Sequence, residues 1–166
     1  MATRTLGTIA ELCNTLNVPT DSIPPNIQGL LVRINPRLRT AFGRARFSGG
    51  DLRPLDLELN SAVASGADAV LRDTFAHEVA HLIAGHSAGH NAMWARTART
   101  LGCTGNQYAS KAEAAAVGIE RRTKVVGVCE GCGVEIRRTR RLAPGRTYRH
   151  SGSGCGARIL RPYEVR

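Results

Sequence analysis

The sequence predicts an α+β domain followed by a small C-terminal module organised on its own. Three observations carry this. Apolar residues recur at helical spacing in some segments and alternate at strand spacing in others. From Val125 onward, short apolar runs, glycines and arginines replace the helical pattern. Three of the five cysteines fall in that last stretch, two of them as a Cys-x-x-Cys pair. The divisions are a main domain over 1–104, a helical and basic connector over 105–124, and the module over 125–166.

The elements follow in order. Leu6, Ile9, Leu12, Cys13 and Leu16 predict a short helix over 5–17. The run from Val18 to Pro25, with three prolines, breaks it. Residues 29–35 read as a strand, and 39–47 as a second with Gly43 as a bulge or a close approach. Ser48-Gly49-Gly50-Asp51 is a turn. Leu55, Leu57 and Leu59 alternate with Asp56 and Glu58, the period of a half-buried strand. A helix from near Ala69 to Ala84 follows, with Phe75, Val79, Leu82 and Ile83 as its apolar stripe. Gly85 and His86-Ser87-Ala88-Gly89 end it. Another helix covers about 91–101, and the alanine run within 104–124 predicts one more.

Composition narrows the class. The 166 residues are enough for one ordinary domain with an appendage. Hydrophobic residues make up 42% and aromatics 4%, so the core is aliphatic. No run approaches the ~18–20 apolar residues of a membrane span. No apolar run after Met1-Ala2-Thr3-Arg4 is long enough for a secretory signal. The expectation is a cytoplasmic, nucleic-acid-associated protein that is not secreted. With no export signal, clustered cysteines favour metal over disulfide. Cys13 and Cys103, standing alone, read as small buried hydrophobes.

The net charge of +10 is unevenly placed. Residues 1–104 hold 10 Arg against 8 Asp and Glu; residues 105–166 hold 13 Lys and Arg against 5 acids. The excess is mostly arginine, whose planar fork suits phosphate. That concentration points to nucleic-acid contact rather than to a face merely kept soluble.

The chemistry-bearing segment is His77-Glu78-Val79-Ala80-His81. Two histidines four apart lie on one helix face and can bind one ion. A catalytic zinc keeps one coordination position open for water and lowers its pKa to ~7. Glu78, beside the first ligand, suits the general base. Both His86 and His90 are candidates for the third ligand. A chain that reverses after Gly85 and Gly89 favours His90.

These residues resemble the SprT-like (Spartan-type) family of zinc metallopeptidases. The resemblance rests on the His-Glu-x-x-His segment, on Gly89-His90-Asn91-Ala92-Met93-Trp94, and on Arg39-Thr40-Ala41-Phe42-Gly43-Arg44-Ala45-Arg46 followed by Leu57-Glu58-Leu59-Asn60. It covers roughly residues 30–103. It implies a zincin-like domain in which His77, His81 and His90 hold zinc and Glu78 is catalytic. It also implies proteolysis of DNA-associated proteins, including proteins crosslinked to DNA. Trp94 reads as core packing one turn after His90.

The second constellation is Cys129-Glu130-Gly131-Cys132-Gly133 with His150 and Cys155, a Cys₃His set for a closed structural zinc in a zinc ribbon. Four residues separate His150 from Cys155, where two are usual in such ribbons. Arg137, Arg138, Arg140, Arg141, Arg146 and Arg149 lie between the two halves, with Tyr148 as a stacking surface. They suit a backbone-reading contact with single-stranded or sequence-nonspecific DNA. The chain thus reads as a zinc metallopeptidase with one catalytic and one structural zinc, a protein substrate, a DNA partner and no membrane. Two other classes share these features: a DNA-binding adaptor with a vestigial site, and a zinc hydrolase acting on RNA.

Overall fold

The computed structural model describes residues 3–106, 110–119 and 123–160. The chain forms two compact units, Met1–Glu120 and Arg121–Arg166. Parts of the connector (107–109 and 120–122) and the end of the C-terminal module (161–166) lie outside the described residues.

The first unit opens with strand β1, Arg4–Thr8, where the periodicity predicts helix. Helix α1 is Ile9–Leu16. A capping box sets its start. The Thr8 hydroxyl accepts from the Glu11 N–H at 3.2 Å, and the Glu11 carboxylate accepts from the Thr8 N–H at 2.7 Å. Upstream of that cap the backbone is free to pair with β2, Leu31–Asn35, and does so antiparallel. At the end of the proline-broken segment, Pro25–Gln28 forms a short helix α2 with proline at its first position.

Strands β3, Gly43–Phe47, and β4, Pro54–Asn60, complete a sheet of order β1-β2-β4-β3. β2 runs parallel to β4, and β3 antiparallel to it at the sheet edge. Gly43 is a close approach; the irregularity in register falls instead between Arg46 and Phe47.

The expected half-buried β4 is buried on both faces from Asp56 to Asn60, while Leu55 is exposed. Leu57 and Leu59 face the apolar core, while Asp56 and Glu58 on the opposite face are only 8% and 4% exposed. Cross-strand arginines cover the carboxylates. Arg33 and Arg46 each reach Asp56 at 3.3 Å, and Arg44 reaches Glu58 at 2.6 Å. Alternation in sequence therefore marks two environments, core and ion-pair layer, rather than core and water.

Asn60 caps the short helix α3, Ser61–Ala64, by accepting from the Ala62 N–H at 2.8 Å. Helix α4, Asp68–Ala84, packs on the sheet and carries the His-Glu-x-x-His segment. Helices α5, Ala92–Thr100, and α6, Lys111–Ala116, follow. One core joins α1, β2, β4, α4 and α5 through Ile9, Val32, Leu57, Phe75, Val79 and Trp94. The Arg72 guanidinium on α4 donates to the carbonyls of Leu16 (3.1 Å), Asn17 (3.2 Å) and Gly102 (3.0 Å). It satisfies acceptors left over at the ends of α1 and α5.

The second unit is a small sheet of β5, Lys124–Cys129, β6, Glu135–Arg138, and β7, Ile159–Leu160, in the order β6-β5-β7. Val126, Leu142 and Ile159 form its core. No described helix is long and apolar enough to cross a membrane.

Candidate active site

His77 and His81 project from one face of α4. After Ala84 the chain turns through Gly85 (φ 88°, ψ 159°) and Gly89 (φ 52°, ψ −127°), conformations open to glycine but strained for other residues. Asn91 then caps α5, accepting from the Trp94 N–H at 3.0 Å. This reversal brings His90 back over α4. His90 Nε2 lies 3.1 Å from His81 Nε2 and 3.2 Å from His77 Nε2. Two Zn–N bonds of about 2.0–2.1 Å at a tetrahedral angle place their nitrogens about 3.3 Å apart. The three imidazoles thus form a face that fits a tetrahedral ion.

His86, the other candidate ligand, is exposed, and its ring meets Phe47 edge-on at 5.4 Å between centroids. Trp94 forms the floor: it is 1% exposed, with centroid distances of 4.7, 5.2 and 4.4 Å to His77, His81 and His90. Its ring fixes all three imidazoles by contact. Its Nε1 has no hydrogen-bond partner among the described residues.

Electrostatics favour the neutral imidazole that binds metal. Burial pushes His77 down to about 4 and His90 adds to the effect, while Asp73 and the Asn106 carbonyl oppose it. Burial, with His77 and His90, likewise takes His81 to about 4. His90 is lowered by burial alone.

Glu78 faces the sheet side of the same helix turn. It is 9% exposed, and burial raises its carboxyl to about 7 against the opposing pull of the Ala45 N–H. That N–H donates to Glu78 Oε2 at 2.8 Å. A carboxylate titrating near neutrality is suited to taking and returning a proton. Gly43 makes the approach possible, since a Cβ there would lie 2.7 Å from Glu78 Cγ. Gly43 was legible as a bulge or a close approach, though its partner was not; the Ala45 amide was not legible, because a backbone donor leaves no mark in residue type.

A model of the SprT-like family matches residues 11–129. The chain belongs to the SprT-like family. No curated protein and no solved structure matches it. Membership and the histidine cluster together point to a metallopeptidase.

This SprT-like chain holds a second candidate metal centre in its C-terminal unit. Cys129, Cys132, His150 and Cys155 offer ligand atoms within 4.8 Å of one another. Cys129 Sγ is 3.6 Å from Cys155 Sγ, and Cys132 Sγ is 3.4 Å from His150 Nδ1. The Cys132 backbone N–H, aided by that of Gly131, pulls the Cys129 thiol down to about 6, toward the thiolate a zinc requires. The wide gap between His150 and Cys155 is taken up by a 3₁₀ turn, Gly152–Gly154. The Gly156 N–H bonds back to the His150 carbonyl at 2.9 Å. The two groups are candidate sites of different kinds, an open His₃ set and a closed Cys₃His set.

The six candidate DNA-contacting arginines are placed differently. Arg137 pairs with Glu135 at 3.3 Å, and Arg149 donates to the Gly156 carbonyl at 3.0 Å. Arg138, Arg140 and Arg141 instead line a cavity of about 350 Å³ with Thr139, Leu142 and Tyr148. The Tyr148 hydroxyl accepts from the Ala143 N–H at 3.1 Å, which fixes the ring. Arg146 lies exposed just after Gly145 (φ 72°).

Proposed function

We propose that this protein is a zinc-dependent peptidase that cleaves proteins associated with, or crosslinked to, DNA. One observation carries the catalytic part: three imidazole Nε2 atoms converge within 3.1–3.2 Å contacts beside a buried carboxylate held by a backbone N–H. His77, His81 and His90 would hold the zinc, which when bound supplies Lewis-acid chemistry.

The remaining work falls to the chain's own groups. The Ala45 N–H orients Glu78 through Oε2, and its carboxylate takes the proton of the attacking water. As the water oxygen bonds to the carbonyl carbon and the C–N bond breaks, Glu78 returns that proton to the leaving amine. β3 is an edge strand beside α4, and an edge strand offers backbone groups to an extended peptide. This supports peptide over other electrophiles as the substrate.

The DNA part rests on the C-terminal unit. Arg138, Arg140 and Arg141 around the fixed Tyr148 ring can meet phosphate and a base face together. No base-reading element is evident among the described residues, so binding is expected to be largely sequence-independent.

The deciding experiment measures cleavage of a protein substrate with and without single-stranded DNA, using Glu78→Gln as control. Cleavage that rises with DNA and disappears in the variant supports the reading. Tight DNA binding without any cleavage favours the adaptor. Degradation of RNA that Glu78→Gln abolishes favours a hydrolase of another class.

A further inference from the structure

The Ala45 N–H that holds Glu78 belongs to the peptide unit joining Arg44 to Ala45. The orientation of that plane decides where the carboxylate points. β3 lies at the sheet edge, so among the described strands β4 alone pairs with its backbone. A second tie is made by side chains on the opposite face of the sheet. Arg44 Nη2 and Nε donate to Glu58 Oε2 at 2.6 and 3.2 Å. The same oxygen accepts from Asn35 Nδ2 at 2.9 Å, and Arg46 Nη1 reaches Glu58 Oε1 at 3.3 Å. Asn35 is itself fixed, its Oδ1 accepting from the Arg37 N–H at 2.9 Å.

The line of contacts runs from β2 through Glu58 on β4 and Arg44 on β3 to Glu78 on α4. A charge buried to this degree is a costly way to hold a sheet together, since apolar residues of similar volume often do as well. What the ion pair adds is direction. The Arg44 fork meets the carboxylate through two nitrogens, which fixes the side chain and with it the start of the Arg44–Ala45 peptide.

We infer that Glu58 is a positioning residue: through Arg44 it holds the Arg44–Ala45 peptide so that its N–H stays on the Glu78 carboxylate. The kinetic consequence rests on the peptidase reading above; the structural one does not.

The test uses the full-length protein with Glu58→Gln and Arg44→Met combined. The pair removes the ion pair without leaving a buried charge unpartnered, and the amide oxygen introduced at position 58 still accepts from Asn35. Five quantities are read: hydrogen exchange at the Ala45 amide, kcat, KM, zinc content and the urea midpoint. The expected result is exchange at Ala45 roughly tenfold faster or more, with the Leu57 and Leu59 amides of β4 still protected. kcat falls roughly tenfold or more with KM nearly unchanged, while zinc content and midpoint stay close to wild type. Glu58→Gln alone, which keeps an acceptor for Arg44, recovers most of kcat.

Wild-type protection at Ala45 in the double variant overturns the inference. So does uniform loss of protection across β3 and β4, which would make Glu58 a fold residue only. If the wild-type protein cleaves no protein substrate, the peptidase reading fails, and exchange at Ala45 still decides the role of Glu58.

Discussion

Replacing Gly43 with alanine tests the contact between the edge strand and Glu78, the proposed general base. Gly43 does not occupy a positive-φ conformation, so alanine pays no backbone penalty there and the effect is contact alone. The added Cβ would lie 2.7 Å from Glu78 Cγ, 3.1 Å from Thr74 Cγ2 and 3.2 Å from Glu78 Cδ. Carbon atoms rest at about 3.5–4.0 Å, so roughly 0.8 Å must be found. Glu78 Cγ is not the free end of a side chain, because the carboxylate beyond it is held by the Ala45 N–H and the backbone behind it is helical. The strand and helix must part or the carboxylate must leave its donor. Overpacking of this kind costs about 1–3 kcal/mol, and a shift near 1 Å at a catalytic group costs on the order of 10²-fold in rate. Urea unfolding and steady-state cleavage are measured together, with zinc affinity as a third readout. The expected outcome is a loss of about 1–3 kcal/mol in stability, a fall in kcat of roughly 10- to 100-fold and unchanged zinc binding. Gly49→Ala is the control, since nothing lies within 4 Å of a Cβ there. A Gly43→Ala protein with wild-type kcat would refute the claim that this approach positions Glu78.

Other outcomes follow from the same geometry. Glu78→Gln keeps the Ala45 bond and the three histidines, so it should retain zinc and lose cleavage by about 10²-fold or more, read by kcat with metal analysis alongside. Metal analysis of the wild-type protein should find two zinc ions per chain; His90→Ala and Cys132→Ala should each remove a different one. For Glu58, burial pushes the carboxyl up, but the hydrogen bonds from Asn35 and Arg44 and the charges of Arg44 and Arg46 outweigh it, and its pKa lies below the ordinary 4.5. A depressed folded-state value means a stability contribution present above the unfolded pKa and lost as pH falls through the folded one. Urea midpoints measured downward from pH 7 should therefore fall on the acid side, and Glu58→Gln should flatten that limb. Burial raises Cys13 and Cys103 to about 11, so both should resist alkylation in the native protein and react only on unfolding.

Much of the candidate site's geometry was legible because it is local. His77, Glu78 and His81 share one helix, and two glycines announce the turn that returns His90. What was hidden depends on tertiary contact. The helical spacing of Leu6 and Ile9 is real, yet Thr8 and Glu11 cap the helix between them and the sheet claims the residues upstream. Asp56 and Glu58 looked solvent-facing because polarity in alternation ordinarily means water. Three arginines from neighbouring strands, distant in sequence, supply their partners instead. The spacing of His150 and Cys155 departs from the usual knuckle, and a glycine-rich 3₁₀ turn absorbs it.

The candidate metal ligands and the proposed base are gathered over very different spans of chain. His77 and His90 close a loop of only 13 residues, whereas the Ala45 N–H reaches Glu78 across 33. Loop-closure entropy grows with span, and the short loop also lies mostly within one helix and its turn. The three imidazoles can therefore come together once α4 and the reversal form, ahead of the longer closure. The carboxylate is set only when the edge strand docks. On the proposed reading, gathering the zinc ligands and seating the carboxylate are therefore separable steps, so that a chain with an undocked edge strand would bind metal before it could cleave.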